Sequence, residues 1–298
     1  MDVKRGPVAV RIFAAVFLVV VALVVSQLPA VGAGGLLHPA RRRVDGNPPP
    51  TCQDSTFTGE GLNLRGWRCH ASAPRRGTLV YLHGIADNRT SGAGVVERFV
   101  ARGFDAIAYD SRAHGESDGT VCTYGFFEKE DLRRVLDTVS PGPIVLIGTS
   151  LGAAVALQEA ALDNRVSAVV AAETFSDLRT VAIERAPFFF TSGIIKRAFD
   201  IAERQGRFQV DSVSPVAVAA RITSPVLLIH GASDSKTPPD HSRRVFAALA
   251  GAKRLILVDG AGHNQSLRGE VWDEIERWLE GRVPSSGMLT KETPCVAC

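Results

Sequence analysis

Residues 143–157 read PIVLIGTSLGAAVAL, and this stretch decides the fold class. Its first five residues form an apolar run typical of a buried strand, and the Gly-x-Ser-x-Gly pentapeptide that follows leads straight into a helical pattern. Strand, sharp turn and helix in this order hold Ser150 at the turn in a strained backbone conformation. Gly148 and Gly152 leave room for the strand and the helix to approach each other, so that the hydroxyl of Ser150 projects into solvent.

The order of the elements around this stretch predicts an α/β fold. Between residues 57 and 282, short apolar strands alternate with helical patterns, which is typical of a mostly parallel sheet with helices on both faces. Sheets of this kind carry their chemistry on the loops at the carboxyl ends of the strands. The predicted strands are Thr78–His83, Phe104–Asp110, Ile144–Ile147, Val166–Ala172, Val226–His230 and Leu255–Val258. The predicted helices are Ala93–Ala101, Phe127–Val139, Leu151–Leu162, Asp240–Leu249 and Val271–Leu279.

One long segment, about residues 175–221, interrupts the alternation of strands and helices. It contains no clear strand, and a structureless loop of this length is uncommon inside a compact domain. The segment is therefore predicted to be a small helical cap over the site. Its cluster Phe188, Phe189 and Phe190 is predicted to line a substrate pocket or to face a membrane, the alternative being that it packs the cap onto the domain.

The charge of the chain is unevenly distributed. The 298 residues carry a formal net charge of +3 at pH 7, to which residues 1–50 contribute +4 and the remaining residues −1. Because the predicted domain has no basic excess, the composition argues against a nucleic-acid partner.

The N-terminal segment, residues 1–35, is predicted to be a signal sequence or a transmembrane anchor and not part of the folded domain. Three basic residues precede an unbroken apolar run from Ile12 to Val25. A run of this length is typical of a signal-peptide core, and the small residues of Val31-Gly32-Ala33 suit a cleavage site. The longer stretch from Val8 to Leu28 carries one charge, on Arg11, and is long enough to span a bilayer.

Both alternatives direct the domain out of the cytoplasm. The chain is either anchored in the membrane with its domain on the extracytoplasmic side, or secreted after cleavage. Positive charge also follows the apolar run, at Arg41, Arg42 and Arg43. The charge difference between the two ends of the run, which indicates its orientation in a membrane, is therefore smaller. Residues 36–56, which include three consecutive prolines, are predicted to be a stiff linker, and residues 283–298 a C-terminal tail.

The five cysteines are compatible with export. Cys52 and Cys69 flank a predicted hairpin and could pair across it in an oxidising compartment. Cys295 and Cys298 form a Cys-x-x-Cys pair at the C-terminus. A zinc site there lacks a second pair of ligands nearby, so a disulfide or two free thiols is the simpler interpretation. The odd count leaves at least one thiol free or intermolecular.

A serine hydroxyl becomes a good nucleophile when a neighbouring base takes its proton. Among seven histidines, His263 fits this role best, since it lies in a glycine-rich loop just after the predicted strand Leu255–Val258. An aspartate must orient the imidazole. Asp234 directly follows the preceding strand and therefore also lies at a carboxyl end, whereas Asp259 is predicted to cap the loop.

Hydrolysis through a serine also needs hydrogen-bond donors for the oxyanion of the tetrahedral intermediate. One donor is predicted to be the backbone amide of Leu151, which follows the nucleophile at the start of a helix. The amide of Ile85, in the loop after the strand Thr78–His83, is predicted to be the other. His83 in this loop is interpreted as structural.

A second polar loop, residues 110–117, reads DSRAHGES and follows the strand Phe104–Asp110. Its aspartate, histidine and glutamate suggest a metal site, but a second cluster of ligands does not accompany them. A turn held by its own polar side chains is the favoured interpretation, and no metal is predicted.

These motifs together resemble the α/β-hydrolase superfamily, and they occur in its order over about residues 57–282. The matching pieces are residues 83–88, residues 110–117, the pentapeptide at 148–152, His230-Gly231 with Asp234, and Gly262-His263. The chain departs from the family's Arg-Gly-His-Gly pattern at Ala113, and its N-terminal apolar segment is not a general trait of the family.

Within the superfamily, the chain is similar to the serine-hydrolase branch of esterases, monoacylglycerol lipases, thioesterases and small peptidases. The resemblance implies that Ser150, Asp234 and His263 hydrolyse a carboxylic ester through an acyl-enzyme, with no cofactor. The expected substrate is a small or lipid-like acyl ester. A peptidase, a thioesterase and a non-catalytic, membrane-tethered protein of the same fold are the alternatives. Ser150 argues against dehalogenases and epoxide hydrolases of this fold, which carry aspartate at that position.

Overall fold

One twisted sheet organises the part of the chain that the computed structural model describes, residues 7–72 and 74–283. Eight strands of this part pair in the order β1-β2-β4-β3-β5-β6-β7-β8. Strands β3 to β8 run parallel, and β1 and β2 add an antiparallel hairpin at one edge. The strands are β1 Cys52–Thr58, β2 Asn63–Cys69, β3 Gly77–Leu82, β4 Phe104–Tyr109, β5 Ile144–Thr149, β6 Val166–Ala172, β7 Val226–Gly231 and β8 Lys253–Val258.

Helices cover both faces of this sheet. Side chains alternate along each strand, so Val80 and Leu82 of β3 belong to one apolar cluster and Leu79 and Tyr81 to the other. The predicted α/β class and the alternation of elements are confirmed, with boundaries that differ by a few residues. The helices are α1 Pro7–Leu37, α2 Ala93–Val100, α3 Glu128–Leu136, α4 Leu151–Ala160, α5 Leu178–Glu184, α6 Ser192–Gly206, α7 Pro215–Val218, α8 Asp240–Ala248 and α9 Val271–Glu280.

The hairpin β1–β2 extends the sheet toward the N-terminus beyond the expected domain start at residue 57. Cys52 lies directly opposite Cys69 in its register, and the two form a disulfide. Cys122 is a buried free thiol. The tail from residue 284 onward, with Cys295 and Cys298, lies outside the described residues.

The segment between β6 and β7 folds into helices α5, α6 and α7 and contains no strand among its residues 175–221, all of which the structure describes. We call this segment the cap. Its apolar side chains, among them Phe175, Leu178 and Phe199, form a third buried cluster.

The N-terminal helix α1 packs against the domain, whereas residues 1–35 were expected to be separate from it. Most of its side chains from Val10 to Val25 are exposed, and Val10–Leu37 is long and apolar enough to cross a membrane, with a mean hydropathy of 2.6. The C-terminal turns nevertheless pack against α6 of the cap, where Ala33 and Leu37 are buried with Phe199 and Phe208. Apolar side chains one helical turn apart produce this packing, because they lie on the same face of α1.

Candidate active site

Five loops meet at the carboxyl edge of the sheet, where parallel strands are expected to present their chemistry. They follow β3, β5, β6, β7 and β8, and each contributes a polar group. The groups are the amide of Ile85, Ser150, Glu173, Asp234 and His263.

Ser150 lies between β5 and α4, in the turn that the sequence predicts. The residue is buried, so its hydroxyl does not project into solvent as expected, because His263 lies against it. Its backbone angles, φ 49° and ψ −109°, are strained for a residue with a side chain. A β-carbon at Gly152 would lie 2.1 Å from the carbonyl oxygen of Leu82, and one at Gly148 would lie 2.4 Å from the backbone of Gly152. Glycine at both positions therefore allows the helix to approach the sheet closely and fixes the direction of the serine.

His263 links the serine to the aspartate. Its Nε2 lies 3.1 Å from Ser150 Oγ, and its Nδ1 lies 2.6 Å from Asp234 Oδ2. Because a carboxylate only accepts hydrogen bonds, Nδ1 of His263 carries the ring proton and donates a hydrogen bond to Asp234. Nε2 is then free to accept a proton from the hydroxyl of Ser150, as a general base must.

Asp234 is held in its charged form. Burial would raise the pKa of its carboxyl group, but hydrogen bonds from His230, from His263 and from the backbone amide of Thr237 outweigh burial and lower the pKa well below its usual range. Its other oxygen, Oδ1, accepts the amides of Lys236 and Thr237 at 2.9 Å each. The aspartate therefore has a fixed position and a permanent charge with which to stabilise an imidazolium.

The two predicted oxyanion donors lie beside the serine. The amide of Leu151 is the first of α4. Gly84, which precedes Ile85, lies next to Ser150, since a β-carbon added at Gly84 would lie 3.7 Å from Cβ of Ser150. Within residues 7–72 and 74–283, neither the Leu151 nor the Ile85 amide donates to another protein group. Two unpaired donors next to a serine hydroxyl are available to a developing oxyanion.

Glu173 is a functional candidate that the sequence reasoning missed. It directly follows β6, has φ 57°, and is almost completely buried. Its carboxylate accepts the backbone amides of Asn264, Gln265 and Ser266, the three residues after His263. The side chain therefore holds the loop that carries the base. Its position at the end of a strand was the available signal.

His83 and Asp110, in the two neighbouring polar loops, form hydrogen bonds within the protein, as interpreted from the sequence. His83 is buried; its Nδ1–H donates to Gly84 O at 2.7 Å and its Nε2 accepts the amide of Ser111 at 2.9 Å. Burial lowers the pKa of its imidazole, which keeps the ring neutral. Asp110 pairs with Arg89 and accepts the amide of Glu116, so the loop is tied by its own side chains.

The acidic and imidazole groups of Glu173, Asp234 and His263 come within 4.8 Å of one another, a spacing that a metal ion could bridge. The donors are already engaged, however. The carboxylate of Glu173 accepts three amides, and that of Asp234 accepts two amides and His263 Nδ1–H. The two carboxylates of Glu173 and Asp234 therefore position His263.

An apolar cavity of about 460 Å³ begins at Ile85 and extends beneath the cap. Its size is typical of a small-molecule site. Of the three predicted pocket phenylalanines, Phe190 lines this cavity, while Phe188 is fully exposed and Phe189 is half exposed. Phe188 and Phe189 do not line this cavity, because the loop between α5 and α6 turns their rings outward, and the expected alternative that they face a membrane stays a prediction.

The fold and this arrangement of loops define an α/β hydrolase. Family models described as "alpha/beta hydrolase fold" and "TAP-like protein" match residues 77–193 and 204–288. The chain belongs to the α/β-hydrolase superfamily, as its motifs indicated.

The chain is also similar to individual proteins over most of its length. YfhR of Escherichia coli is 28% identical over 272 residues, which cover 86% of this chain and 90% of YfhR. YqkD of Bacillus subtilis is 28% identical over 216 residues, which cover 69% of this chain and 70% of YqkD. The solved esterase Pf2001 of Pyrococcus furiosus superimposes with a TM-score of 0.67 at 22% identity, covering 82% of this chain and all of the esterase. This last similarity is one of fold.

Proposed function

We propose that the protein is a serine hydrolase that cleaves a carboxylic ester through an acyl-enzyme. The observation that carries this proposal is the hydrogen-bonded series from Ser150 through His263 to Asp234, with 3.1 Å and 2.6 Å between the linked atoms. The two unpaired amides beside the serine support it, and so does the esterase fold of the structural neighbour.

In the acylation step, Ser150 Oγ attacks the carbonyl carbon of the ester while His263 Nε2 takes the hydroxyl proton. The amides of Ile85 and Leu151 donate to the oxyanion of the tetrahedral intermediate, and Asp234 stabilises the imidazolium. His263 then returns the proton to the alcohol oxygen as the bond from carbon to that oxygen breaks, which leaves the acyl group on Ser150.

In the second step, water attacks the acyl carbon and gives its proton to His263. The intermediate collapses, the proton returns to Ser150 Oγ, and a carboxylic acid leaves. His263 thus acts as base and acid in turn, and the serine is regenerated.

The cavity supports an apolar acyl group. Its walls are mostly aliphatic and aromatic, with Tyr124 and Arg185 as polar exceptions, and Arg185 is engaged by the carbonyl of Lys236 and the hydroxyl of Thr237. An acyl chain buries apolar surface there without leaving polar groups unpaired. Thioesters and peptides share the same attack step, and the substrate panel below separates them.

A fluorophosphonate probe tests the proposal directly, because it labels a serine only when that serine is activated. We expect the full-length protein to be labelled and Ser150→Ala to remain unlabelled. A panel of acetyl, butyryl and longer esters, a thioester and a peptide amide then assigns the bond type. An unlabelled wild type would mean that the fold is non-catalytic here, and label on Ser150→Ala would assign the nucleophile to another residue.

A further inference from the structure

We propose that the C-terminal turns of α1 form one wall of the acyl cavity, and that the acyl chain of the substrate enters from the bilayer in which α1 is embedded. This inference rests on the proposed esterase function. It names the substrate class as a membrane-resident ester with a long acyl tail. It also requires that α1 is retained, as an anchor and not as a cleaved signal.

Four residues of α1 contribute to the cavity: Val31, Gly32, Gly35 and Leu36. The helix approaches the cap closely at this point, since a β-carbon at Gly32 would lie 2.8 Å from the ring of Phe190 and 3.1 Å from Cβ of Ala198. Ile85, whose amide is a proposed oxyanion donor, lines the same cavity, and its neighbour Gly84 lies next to Ser150. An acyl chain that runs from Ser150 past Ile85 into the cavity would therefore meet the residues of α1 that line it.

The end of α1 is fixed to the domain and is not a loosely attached anchor. The hydroxyl of Tyr124 donates to the carbonyl of Leu36 at 3.0 Å, and the amide of Cys122 donates to the carbonyl of Leu37 at 2.8 Å. Ala33 is buried within a continuous helix. Cleavage after Ala33 would remove Val31 and Gly32 from the cavity wall, so the structure favours retention of the helix.

Helix geometry places the cavity at the level of the membrane surface. Arg11 and Val31 are separated by 20 residues in sequence, which corresponds to about 30 Å of helix at about 1.5 Å per residue. The hydrocarbon core of a bilayer is about 30 Å thick. If Arg11 lies at one surface, Val31 and the cavity therefore lie at the other.

Two exposed aromatic side chains support this placement. Phe188 and Phe189 precede Phe190, which contacts α1 at Gly32, and their rings point away from the protein core. Exposed apolar side chains next to a long apolar helix are typical of a surface that rests in the interfacial region of a membrane. The loop between α5 and α6 thus lies where a lipid tail leaves the bilayer for the cavity.

The experiment compares two esters on the full-length protein reconstituted in phosphatidylcholine vesicles. Methylumbelliferyl palmitate partitions into the bilayer, whereas methylumbelliferyl acetate is water-soluble. The quantity measured is the ratio of kcat/KM for the palmitate to kcat/KM for the acetate. Gly32→Leu is expected to lower this ratio at least about tenfold, because the added side chain fills the cavity. Gly34→Leu is the matched control, since a β-carbon at Gly34 meets nothing within 4 Å, and it is expected to leave the ratio unchanged.

A second variant tests whether the acyl chain enters from the bilayer, without changing the wall that α1 forms in the cavity. The double variant Phe188→Ser, Phe189→Ser is expected to lower the ratio by about tenfold in vesicles. Leu162→Ser, which removes another exposed apolar side chain just after α4, is expected to leave the ratio unchanged. An unchanged ratio in both Gly32→Leu and the double variant would overturn the inference.

The outcomes separate this inference from the proposed function. A wild type that takes the fluorophosphonate label on Ser150 and hydrolyses the acetate, but shows no effect of Gly32→Leu or of the double variant on the ratio, refutes only the role of α1. A wild type that takes no label and hydrolyses neither ester refutes the esterase function and this inference with it.

Discussion

Glu173 offers a sharp test of how His263, the proposed catalytic base, is positioned. One oxygen of its carboxylate, Oε1, accepts the amides of Gln265 at 3.1 Å and Ser266 at 3.0 Å, and the other accepts the amide of Asn264. In Glu173→Gln, the side-chain carbonyl can keep the first two bonds. The new amide nitrogen then faces the backbone N–H of Asn264, which adjoins His263, so two donors oppose each other.

The size of the effect follows from the lost bond. A hydrogen bond to a charged acceptor contributes about 1.5–3 kcal/mol, and a buried donor without a partner costs about 1–3 kcal/mol. We therefore expect the histidine loop to be destabilised by about 2–4 kcal/mol. A shift of about 1 Å in a catalytic group can cost about 100-fold in rate. The expected result is a kcat about 100-fold lower with KM nearly unchanged, because Glu173 does not line the apolar cavity beneath the cap.

The assay is steady-state hydrolysis of a short methylumbelliferyl ester, together with the rate of fluorophosphonate labelling of Ser150. Glu128→Gln is the matched control: Glu128 is equally buried and its carboxylate also accepts three hydrogen bonds, from Thr123 and Gly125. It should lose similar thermal stability while its kcat changes little. Equal losses of kcat in the two variants, or a Glu173→Gln enzyme with kcat within twofold of wild type, would refute the positioning role.

Three further predictions follow from single side chains. Asp234→Asn is expected to lower kcat about 10⁴-fold while the fold is kept, because the amide no longer holds His263 in the required tautomer; kinetics on a purified, folded variant measure this. Burial raises the pKa of Glu159 to about 8, so the folded protein keeps a proton that the unfolded chain loses near pH 4.5. Stability should therefore fall as the pH rises from 4.5 to about 8, by at most about 5 kcal/mol, and Glu159→Gln should flatten this part of the profile in thermal melts; an equally steep profile would exclude Glu159 as its source. Ala113 has φ 61°, a left-handed conformation that is strained for alanine, so Ala113→Gly should raise the free energy of unfolding by about 1 kcal/mol in urea titrations; an unchanged or lower value would show that this strain is not relieved.

The meeting of Ser150, Asp234 and His263 at one edge of the sheet could be predicted from the sequence because its signals are local. Strand β6 was predicted with its exact bounds, and the turn at Ser150 was recognised from five residues. Parallel strands bring their carboxyl ends to the same edge, so loops distant in sequence were expected to meet. Asp234 and His263 meet at the site of Ser150 because each lies in the loop that follows such a strand.

The remaining features depend on tertiary contacts that leave no local pattern. Glu173 has no motif of its own, and its role arises from amides that lie about 90 residues later in the chain. The direction of Phe188 and Phe189 is decided by the loop between α5 and α6, and three consecutive aromatic residues do not show which ring turns inward. The packing of α1 against the cap was missed for a related reason, since an apolar helix near the N-terminus has the same composition whether it docks or not.

In the mechanism that we propose, catalysis and substrate choice are carried by separate parts of the molecule. The nucleophile, the base and the donors are held by loops of the sheet through buried hydrogen bonds, and Ser150 itself is only 4% exposed. In the same proposal, the acyl group contacts Phe190 of the cap and the end of α1, which line the cavity and lie outside the sheet. Substitutions on α1 facing the cavity should consequently change which ester is hydrolysed without changing how Ser150 attacks it. Variation in acyl specificity among proteins with these same catalytic loops is then expected to follow the cap and the N-terminal helix.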